Sequence, residues 1–120
     1  MKINKIIKGI LCGLVICLSA CSTKNIIQTN IGYGWNNNSV NTVKFRKNAL
    51  TTHGQYQFTA YYDGNSNLVL GKRKISTSNW EIVKTPYKGN TKDAHNDISI
   101  AIDGEGYLHV SWDHHDTKLR

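Results

Sequence analysis

Cysteine is scarce in this chain of 120 residues, and its three copies all lie within the first 21 positions. Beyond Cys21 there is no thiol, so the greater part of the chain has no means of forming a disulfide bond or a cysteine metal centre. We therefore expect neither kind of cross-link in the folded part, and we predict no metal and no cofactor.

A hydrophobic run long enough to span a membrane is also missing. The longest apolar segment, Ile10–Ala20, follows a lysine-rich start and is too short to cross a bilayer comfortably. It ends in Leu18-Ser19-Ala20-Cys21, which resembles the lipobox of bacterial lipoprotein signal peptides. The resemblance implies a signal peptide over residues 1–20 and a lipid anchor on Cys21. It also implies a location in the bacterial cell envelope, with the outer membrane favoured.

Acidic side chains are outnumbered, because 8 Asp and Glu face 15 Lys and Arg and the formal net charge is +7. Three of the lysines belong to the predicted signal peptide, which leaves +4 (7 minus 3) for the rest. The densest cluster, Lys72-Arg73-Lys74, is typical of a solvated strand edge, and it would also attract an acidic polysaccharide weakly. Nucleic acid is not an expected partner of an exported lipoprotein.

Proline occurs once, at Pro86, and much of the chain has the alternation of apolar and polar residues that is typical of β-strands. Residues 21–39 are rich in polar and turn-forming residues and predict a tether followed by an N-terminal loop. Residues 40–120 predict strands and tight turns. The strands predicted in the first block are Val40–Phe45, Tyr56–Tyr62, Leu68–Ile75 and a segment from Trp80 to Lys84, which Pro86 ends.

The most regular stretch contains most of the histidines. Ile98–Ile102 and Leu108–Trp112 alternate on either side of a glycine-rich turn, which predicts an antiparallel hairpin. A hairpin brings its outer ends together, so His95 and the His114-His115 pair are predicted to share one rim. Adjacent strand residues point to opposite faces, and the pattern therefore leaves the choice between His114 and His115 open.

Two parts of the chain repeat each other. Ala60-Tyr61-Tyr62-Asp63-Gly64, followed by Leu68-Val69-Leu70, recurs 40 positions later (103 minus 63) as Ile100-Ala101-Ile102-Asp103-Gly104, followed by Leu108-His109-Val110. Antiparallel repeats of this period are typical of β-propellers, although two unrelated hairpins are an alternative. We predict an all-β fold, a partial β-propeller of about one and a half four-stranded blades. Since a propeller needs at least about four blades, we expect the chain to be truncated.

Three segments carry a resemblance to known proteins: GYGWNNNSVNTVKFRKNAL, H-G-x-Y-Q-F-T-A-Y-Y-D and KDAHNDISIAIDGEGYLHVSWDHH. They resemble the N-terminal part of the BNR-repeat-containing family, exported bacterial propeller proteins found among polysaccharide-degrading systems. They are similar to the seven-bladed ulvan lyases, which cleave a sulfated uronic-acid polysaccharide by β-elimination. The sialidase Asp-box is not preserved around Ser76–Trp80, so the resemblance implies lyase rather than sialidase chemistry.

The resemblance implies an acidic polysaccharide substrate and a histidine pair for acid–base chemistry. His95 is the candidate base, and His115, or else His114, is the partner acid or positioning group. Imidazole suits both roles because its ordinary pKa of about 6.5 leaves both protonation states accessible. The candidate substrate contacts are Asn96, Trp112, Trp35 and Tyr33, and Asn96 and Asp113 are also candidates for orienting the imidazoles. The group that neutralises the substrate carboxylate is expected in later blades, so the chain alone is expected to be inactive.

Two other functions stay open. The chain could be a non-catalytic glycan-binding lipoprotein, whose aromatic side chains stack on sugar rings, or a structural remnant without activity. Divalent metal binding is disfavoured, because adjacent histidines such as His114 and His115 do not have the spacing of ligands on one strand face. His53 and His109 are expected to be solvated or structural.

Overall fold

The computed structural model describes residues 26–43 and 48–118. The predicted signal peptide, the proposed anchor Cys21 and the last two residues lie outside the described residues. Within the described ranges the regular structure is entirely β-strand, and no helix there is long and apolar enough to cross a membrane.

Six strands form two antiparallel sheets. The first sheet has four strands in sequential order, β1 (Leu50–His53), β2 (Tyr56–Tyr62), β3 (Asn67–Lys74) and β4 (Glu81–Lys88). The second sheet pairs β5 (Ile98–Ile102) with β6 (Leu108–Trp112). One four-stranded blade and two strands of a second are present, which confirms the predicted all-β, partial-propeller fold. The limits of β2, β5 and β6 agree with the strands predicted from sequence, and β3 differs by one residue at each end.

The strand predicted at Val40–Phe45 is wrong over its described part, which is a turn at residues 40–42. The first strand of the sheet begins later, at Leu50. Side-chain hydrogen bonds explain the difference, because the Asn41 amide pairs with the Tyr62 backbone as a neighbouring strand would. Asn41 Nδ2 donates to the Tyr62 carbonyl and Asn41 Oδ1 accepts from its N–H, both at 2.9 Å. Such local side-chain bonds compete with strand formation.

Pro86 does not end the fourth strand, contrary to the prediction, because β4 continues to Lys88. Within the described sheet β4 is an edge strand, and its register against β3 shifts between the pairs Asn67–Lys88 and Val69–Lys84. Proline is tolerated at edges and bulges, where its missing N–H breaks no ladder hydrogen bond. The Thr85 hydroxyl fills part of the gap by donating to the Leu68 carbonyl at 2.7 Å.

Each repeat has a turn built on an aspartate. Asp63 Oδ1 accepts hydrogen bonds from the backbone N–H groups two and four residues further on, both at 2.9 Å. Asp103 Oδ1 does the same, at 3.0 and 2.9 Å. The third residue after each aspartate is left-handed, with φ of 63° at Ser66 and 91° at Gly106. The repeat seen in the sequence therefore extends to the hydrogen bonds of the two turns.

One hydrophobic core joins the two sheets. Its buried members come from both blades: Val40, Ala60, Tyr62, Leu68, Ile98 and Ile100. A backbone hydrogen bond of 2.9 Å from Ile100 to the Asn48 carbonyl also links β5 to the segment before β1. Because β5 and β6 are fixed against the first sheet, the loop between β4 and β5 has a defined position next to the end of β6.

Candidate functional site

Asp93 holds two histidines together at the outer ends of the second hairpin. His95 Nδ1 lies 2.8 Å from Asp93 Oδ1, and His115 Nδ1 lies 2.6 Å from Asp93 Oδ2. The centroids of the two imidazole rings are 4.7 Å apart, with their planes inclined at 35°. The structure therefore brings His95 and His115 to one place, which we call the Asp93 cluster (Asp93, His95 and His115).

Buried polar groups fix the backbone beneath this cluster. Asn96, with 2% of its surface exposed, accepts a hydrogen bond from the His115 N–H at 2.8 Å and donates to the Asn90 carbonyl at 3.1 Å. Asp113 Oδ1 accepts from the Asn90 N–H at 2.8 Å. The loop before β5 is thereby tied to the segment after β6. Asn96 and Asp113 hold backbone groups in these bonds, and the carboxylate that contacts both rings is Asp93.

The electrostatics follow from these contacts. The hydrogen bond from the His95 N–H, followed by those from the His115 and His95 rings, holds the pKa of Asp93 well below its ordinary value. Its hydrogen bond with Asp93 raises the pKa of His115. Both shifts favour the charged forms of the partners, so a carboxylate is placed between two rings of which one readily carries a proton.

The ring of His114 makes no hydrogen bond to the Asp93 cluster. Asp113 is left-handed, with φ of 59°, a conformation that aspartate adopts more easily than most residues. His115 follows with its ring on Asp93, whereas both ring nitrogens of His114 are buried and have no hydrogen-bond partner within residues 26–43 and 48–118. Of the two adjacent histidines, His115 is thus the one that meets His95.

The N-terminal loop reaches the site through Asn38. Asn38 Nδ2 donates to the carbonyls of Thr91 and Lys92, at 2.8 and 3.2 Å, immediately before Asp93. Asn38 Oδ1 accepts from Trp35 Nε1 at 3.2 Å, and the Trp35 side chain packs against the core. Tyr33 is 91% exposed. Of the two predicted aromatic contacts in this loop, Trp35 is therefore engaged in packing and Tyr33 faces solvent.

Trp112 ends β6 and lies beside a second aromatic ring. Its indole Nε1 donates to the Lys88 carbonyl at 3.4 Å. The Tyr87 ring, which is largely exposed, lies 5.3 Å from it between centroids, at an interplanar angle of 41°. Tyr87 was not singled out in the sequence, because Pro86 suggested a loop there and the strand that presents this side chain was not expected.

Asp93 was also missed by the sequence reasoning, although a signal for it exists. An aspartate two residues before another residue can accept that residue's backbone N–H and so form a local turn. Asp93 does this with His95, at 2.9 Å. The contact with His115 could not be read in this way, because it depends on how the hairpin closes.

The other histidines have simpler surroundings. His109 Nε2 lies 2.8 Å from Asp103 Oδ2, and both side chains are exposed to a large extent. His53 ends β1 and is exposed. Neither has the second imidazole that makes the Asp93 cluster unusual.

Comparison with known protein families gives a match over the second half of the chain. The profile of the family described as "BNR repeat-containing family member" matches residues 56–120, more than half of the chain. The match includes β2 to β6 and all three residues of the Asp93 cluster. No curated protein matches the chain. On the extent of the profile match, the chain belongs to the BNR repeat-containing family.

Proposed function

We propose that this chain forms part of a surface lipoprotein that cleaves acidic, uronic-acid polysaccharides by β-elimination. The observation that carries the proposal is the pair of imidazoles, His95 and His115, held on one carboxylate at an exposed rim. β-Elimination requires a base that removes the C5 proton of the uronic acid and an acid that protonates the departing O4 oxygen. Two neighbouring histidines can supply both groups.

The Asp93 contacts indicate which ring atoms would react. Both imidazoles engage Asp93 through Nδ1, and a carboxylate accepts the Nδ1 proton. In the neutral ring the lone pair then lies on Nε2, which is the atom able to accept the substrate proton. We assign the base to His95, and the acid or positioning role to His115.

Three further elements complete the proposal. The substrate carboxylate must be neutralised by a cation or strong donor, which we propose comes from other blades of a complete propeller. Cys21 is proposed as the lipid attachment site that holds the protein at the cell envelope, with the outer membrane favoured. Tyr33 and Trp112 are proposed as sugar contacts. Asn96 is proposed to position His115, because its side chain accepts the His115 N–H.

The first prediction concerns His95→Ala in a propeller that contains these blades. The change should lower the rate of elimination roughly 10²–10⁴-fold, the usual contribution of one acid or base. The measurement is the ultraviolet absorbance of the unsaturated uronate released from acidic polysaccharides. His109→Ala is the matched control, because His109 is also exposed and paired with an aspartate, and it should leave the rate unchanged. An undiminished rate in His95→Ala would remove the base assignment.

A non-catalytic glycan-binding function is the second candidate, favoured by the largely exposed ring of Tyr87 beside the half-buried Trp112. Aromatic rings of this kind offer an apolar face to a sugar ring. Affinity electrophoresis through gels containing an acidic polysaccharide separates the two functions. Retardation that is lost in Tyr87→Ala, without any unsaturated product from the complete propeller, would establish a binding protein in place of a lyase.

A further inference from the structure

We propose that Asp93, His95 and His115 form a binding site for a divalent transition-metal ion, with one carboxylate oxygen and the two Nδ1 atoms as ligands. The proposal does not rest on the proposed lyase function, because it concerns binding in the absence of any glycan. The sequence disfavoured a metal on account of the adjacent pair His114-His115. The structure replaces that pair with a different set, in which Asp93 is the third donor.

The donor atoms are close enough to share one ion. One ligand atom from each residue lies within 4.8 Å of the others. Bonds of about 2.0–2.2 Å to nitrogen and oxygen place tetrahedral ligands about 3.3–3.6 Å apart. The present N···O separations are 2.8 Å, from His95 Nδ1 to Asp93 Oδ1, and 2.6 Å, from His115 Nδ1 to Asp93 Oδ2. To admit an ion these pairs open by about 0.5–1.0 Å, and the most widely spaced donors, at most 4.8 Å apart, move closer. Small rotations of exposed side chains suffice for such a change.

The backbone of the site is already organised. Asp93 accepts the His95 N–H through its side chain at 2.9 Å, and its own carbonyl accepts the Asn96 N–H at 3.2 Å. The buried Asn96 amide then fixes the backbone of His115. All three ligands are thus connected through one short network, so little chain ordering is required when an ion binds.

The donor set selects the class of ion. Two imidazoles and one carboxylate are typical ligands of Zn²⁺ and the neighbouring divalent transition metals, whereas Ca²⁺ and Mg²⁺ prefer oxygen ligands. The side chains of His95 and His115 are 62% and 45% exposed, which leaves room for water on the remaining coordination positions.

Metal binding would also change the tautomer of the rings. In each neutral ring the proton now directed at Asp93 moves to Nε2, so that Nδ1 can donate its lone pair to the ion. An imidazole that binds an ion through Nδ1 carries its proton on Nε2, so Nε2 cannot then accept a proton. Metal binding and action as a base are therefore alternative states of the same ring.

Asp103 and His109 form a similar aspartate–histidine pair without a second histidine. Asp103 and His109 also approach to 2.8 Å at an exposed position, but the carboxylate there contacts one imidazole only among the described residues. Two protein donors bind a metal weakly compared with three. Asp103 and His109 are therefore the matched controls.

The experiment uses the full chain in detergent, purified without a polyhistidine tag, with Zn²⁺ and Co²⁺ as probes. Isothermal titration with Zn²⁺ should show one ion per chain, and Co²⁺ should give a visible d–d absorption band. Asp93→Asn, His95→Ala and His115→Ala should each weaken Zn²⁺ binding at least about 10–100-fold. Asp103→Asn, His109→Ala and His114→Leu should leave the affinity unchanged, and Ca²⁺ should not compete.

The proposal is overturned if Zn²⁺ does not bind, or if it binds equally well to Asp93→Asn and to the wild-type chain. It is also overturned if His109→Ala or His114→Leu weakens binding as much as His115→Ala does. Far-ultraviolet circular dichroism of every variant identifies any that fails to fold. For such a variant, the Zn²⁺ affinity of Asp93→Glu, which keeps the carboxylate, is compared with that of the wild-type chain instead. None of these outcomes depends on lyase activity.

Discussion

Aspartate side chains set the local geometry of this chain at three places. Asp63, Asp93 and Asp103 each accept the backbone N–H of the second residue further on, at 2.9, 2.9 and 3.0 Å. In the two turns of the repeat this bond only closes a hairpin. At Asp93 the same bond leaves the carboxylate able to reach two imidazoles, so one local motif serves both structure and the candidate site.

The second prediction is a pH-dependent loss of stability in Asp63→Asn. Burial alone would raise the pKa of Asp63, but hydrogen bonds from Asn67, Lys84 and Asn65 outweigh it and hold the pKa well below the ordinary value. A group with a lowered folded pKa stabilises the protein above its unfolded pKa of about 3.9 and loses this contribution as the pH falls towards the folded value. The variant should be roughly 1–2 kcal/mol less stable at neutral pH.

Urea denaturation at a series of pH values measures this effect. The gap between wild type and Asp63→Asn should shrink steadily below about pH 4, because the Asp63 carboxylate of the unfolded chain takes up a proton there while that of the folded protein stays ionised. Asp103→Asn is the control, since the same turn is more exposed in the second repeat, and its effect should be smaller. A gap that stayed constant down to low pH would contradict the charge-based explanation.

At the level of single residues, the sequence predicted the pairing of His95 with a histidine after the hairpin, because the alternation of residues fixes how the hairpin closes. It could not choose between His114 and His115, since that choice depends on the left-handed backbone at Asp113. It did not find Asp93 either, whose contact with His115 joins residues at opposite ends of the hairpin. The roles assigned to these residues stay predictions.

Among the structural elements, the loop between β4 and β5 depends on a glycine at its start. A Cβ atom at Gly89 would lie 2.5 Å from the Tyr62 hydroxyl oxygen and 2.6 Å from Cε1 of its ring. Tyr62 is fully buried in the core, so it cannot move away without disturbing its neighbours. Gly89 therefore allows the loop that carries Asp93 and His95 to pass directly over the core.

The third prediction is that Gly89→Ala destabilises the fold by about 1–3 kcal/mol, the usual cost of overpacking. Thermal unfolding followed by near-ultraviolet circular dichroism measures both the stability and the packing of Tyr62. Gly104→Ala is the matched control, because no atom lies within 4 Å of a Cβ at that position, and its effect should stay within about 0.5 kcal/mol. Equal stability of the two variants would show that the Gly89 contact relaxes freely.

Strand positions were predictable wherever backbone pairing decided them, as in β2, β5 and β6. The two errors have a common cause. At residues 40–42 the Asn41 side chain takes the place of a backbone partner, and at Pro86 an edge position makes the missing N–H harmless. Neither circumstance is visible in the alternation of polar and apolar residues, because both depend on neighbours that are distant in sequence.

On the scale of the whole molecule, the two sheets share one core and are expected to unfold together. Ile98, in β5, is fully buried and belongs to the same cluster as Ala60 and Tyr62 in β2. No disulfide is available to the described residues to hold the sheets together, since all three cysteines lie outside them. Packing across the two sheets must supply that stability.

The fourth prediction is that Ile98→Ala lowers the free energy of unfolding by about 2–5 kcal/mol, the range for large-to-small changes in a core. Hydrogen exchange should accelerate in β2 as well as in β5, because the lost contacts belong to both sheets. Ile82→Ala, on the exposed side of the edge strand β4, is the control and should cost less than about 1 kcal/mol. Faster exchange confined to β5 and β6 would show that the sheets unfold separately.

Pro86 has a consequence for association between copies of the protein. A free strand edge is a template on which another chain can add its own strand, and natural proteins suppress such fibre-like growth with proline and local irregularities. β4 has both, together with the exposed apolar side chains Ile82 and Val83. Replacing Pro86 would restore a backbone hydrogen-bond donor beside this apolar surface. We therefore expect Pro86 to limit aggregation through the β4 edge.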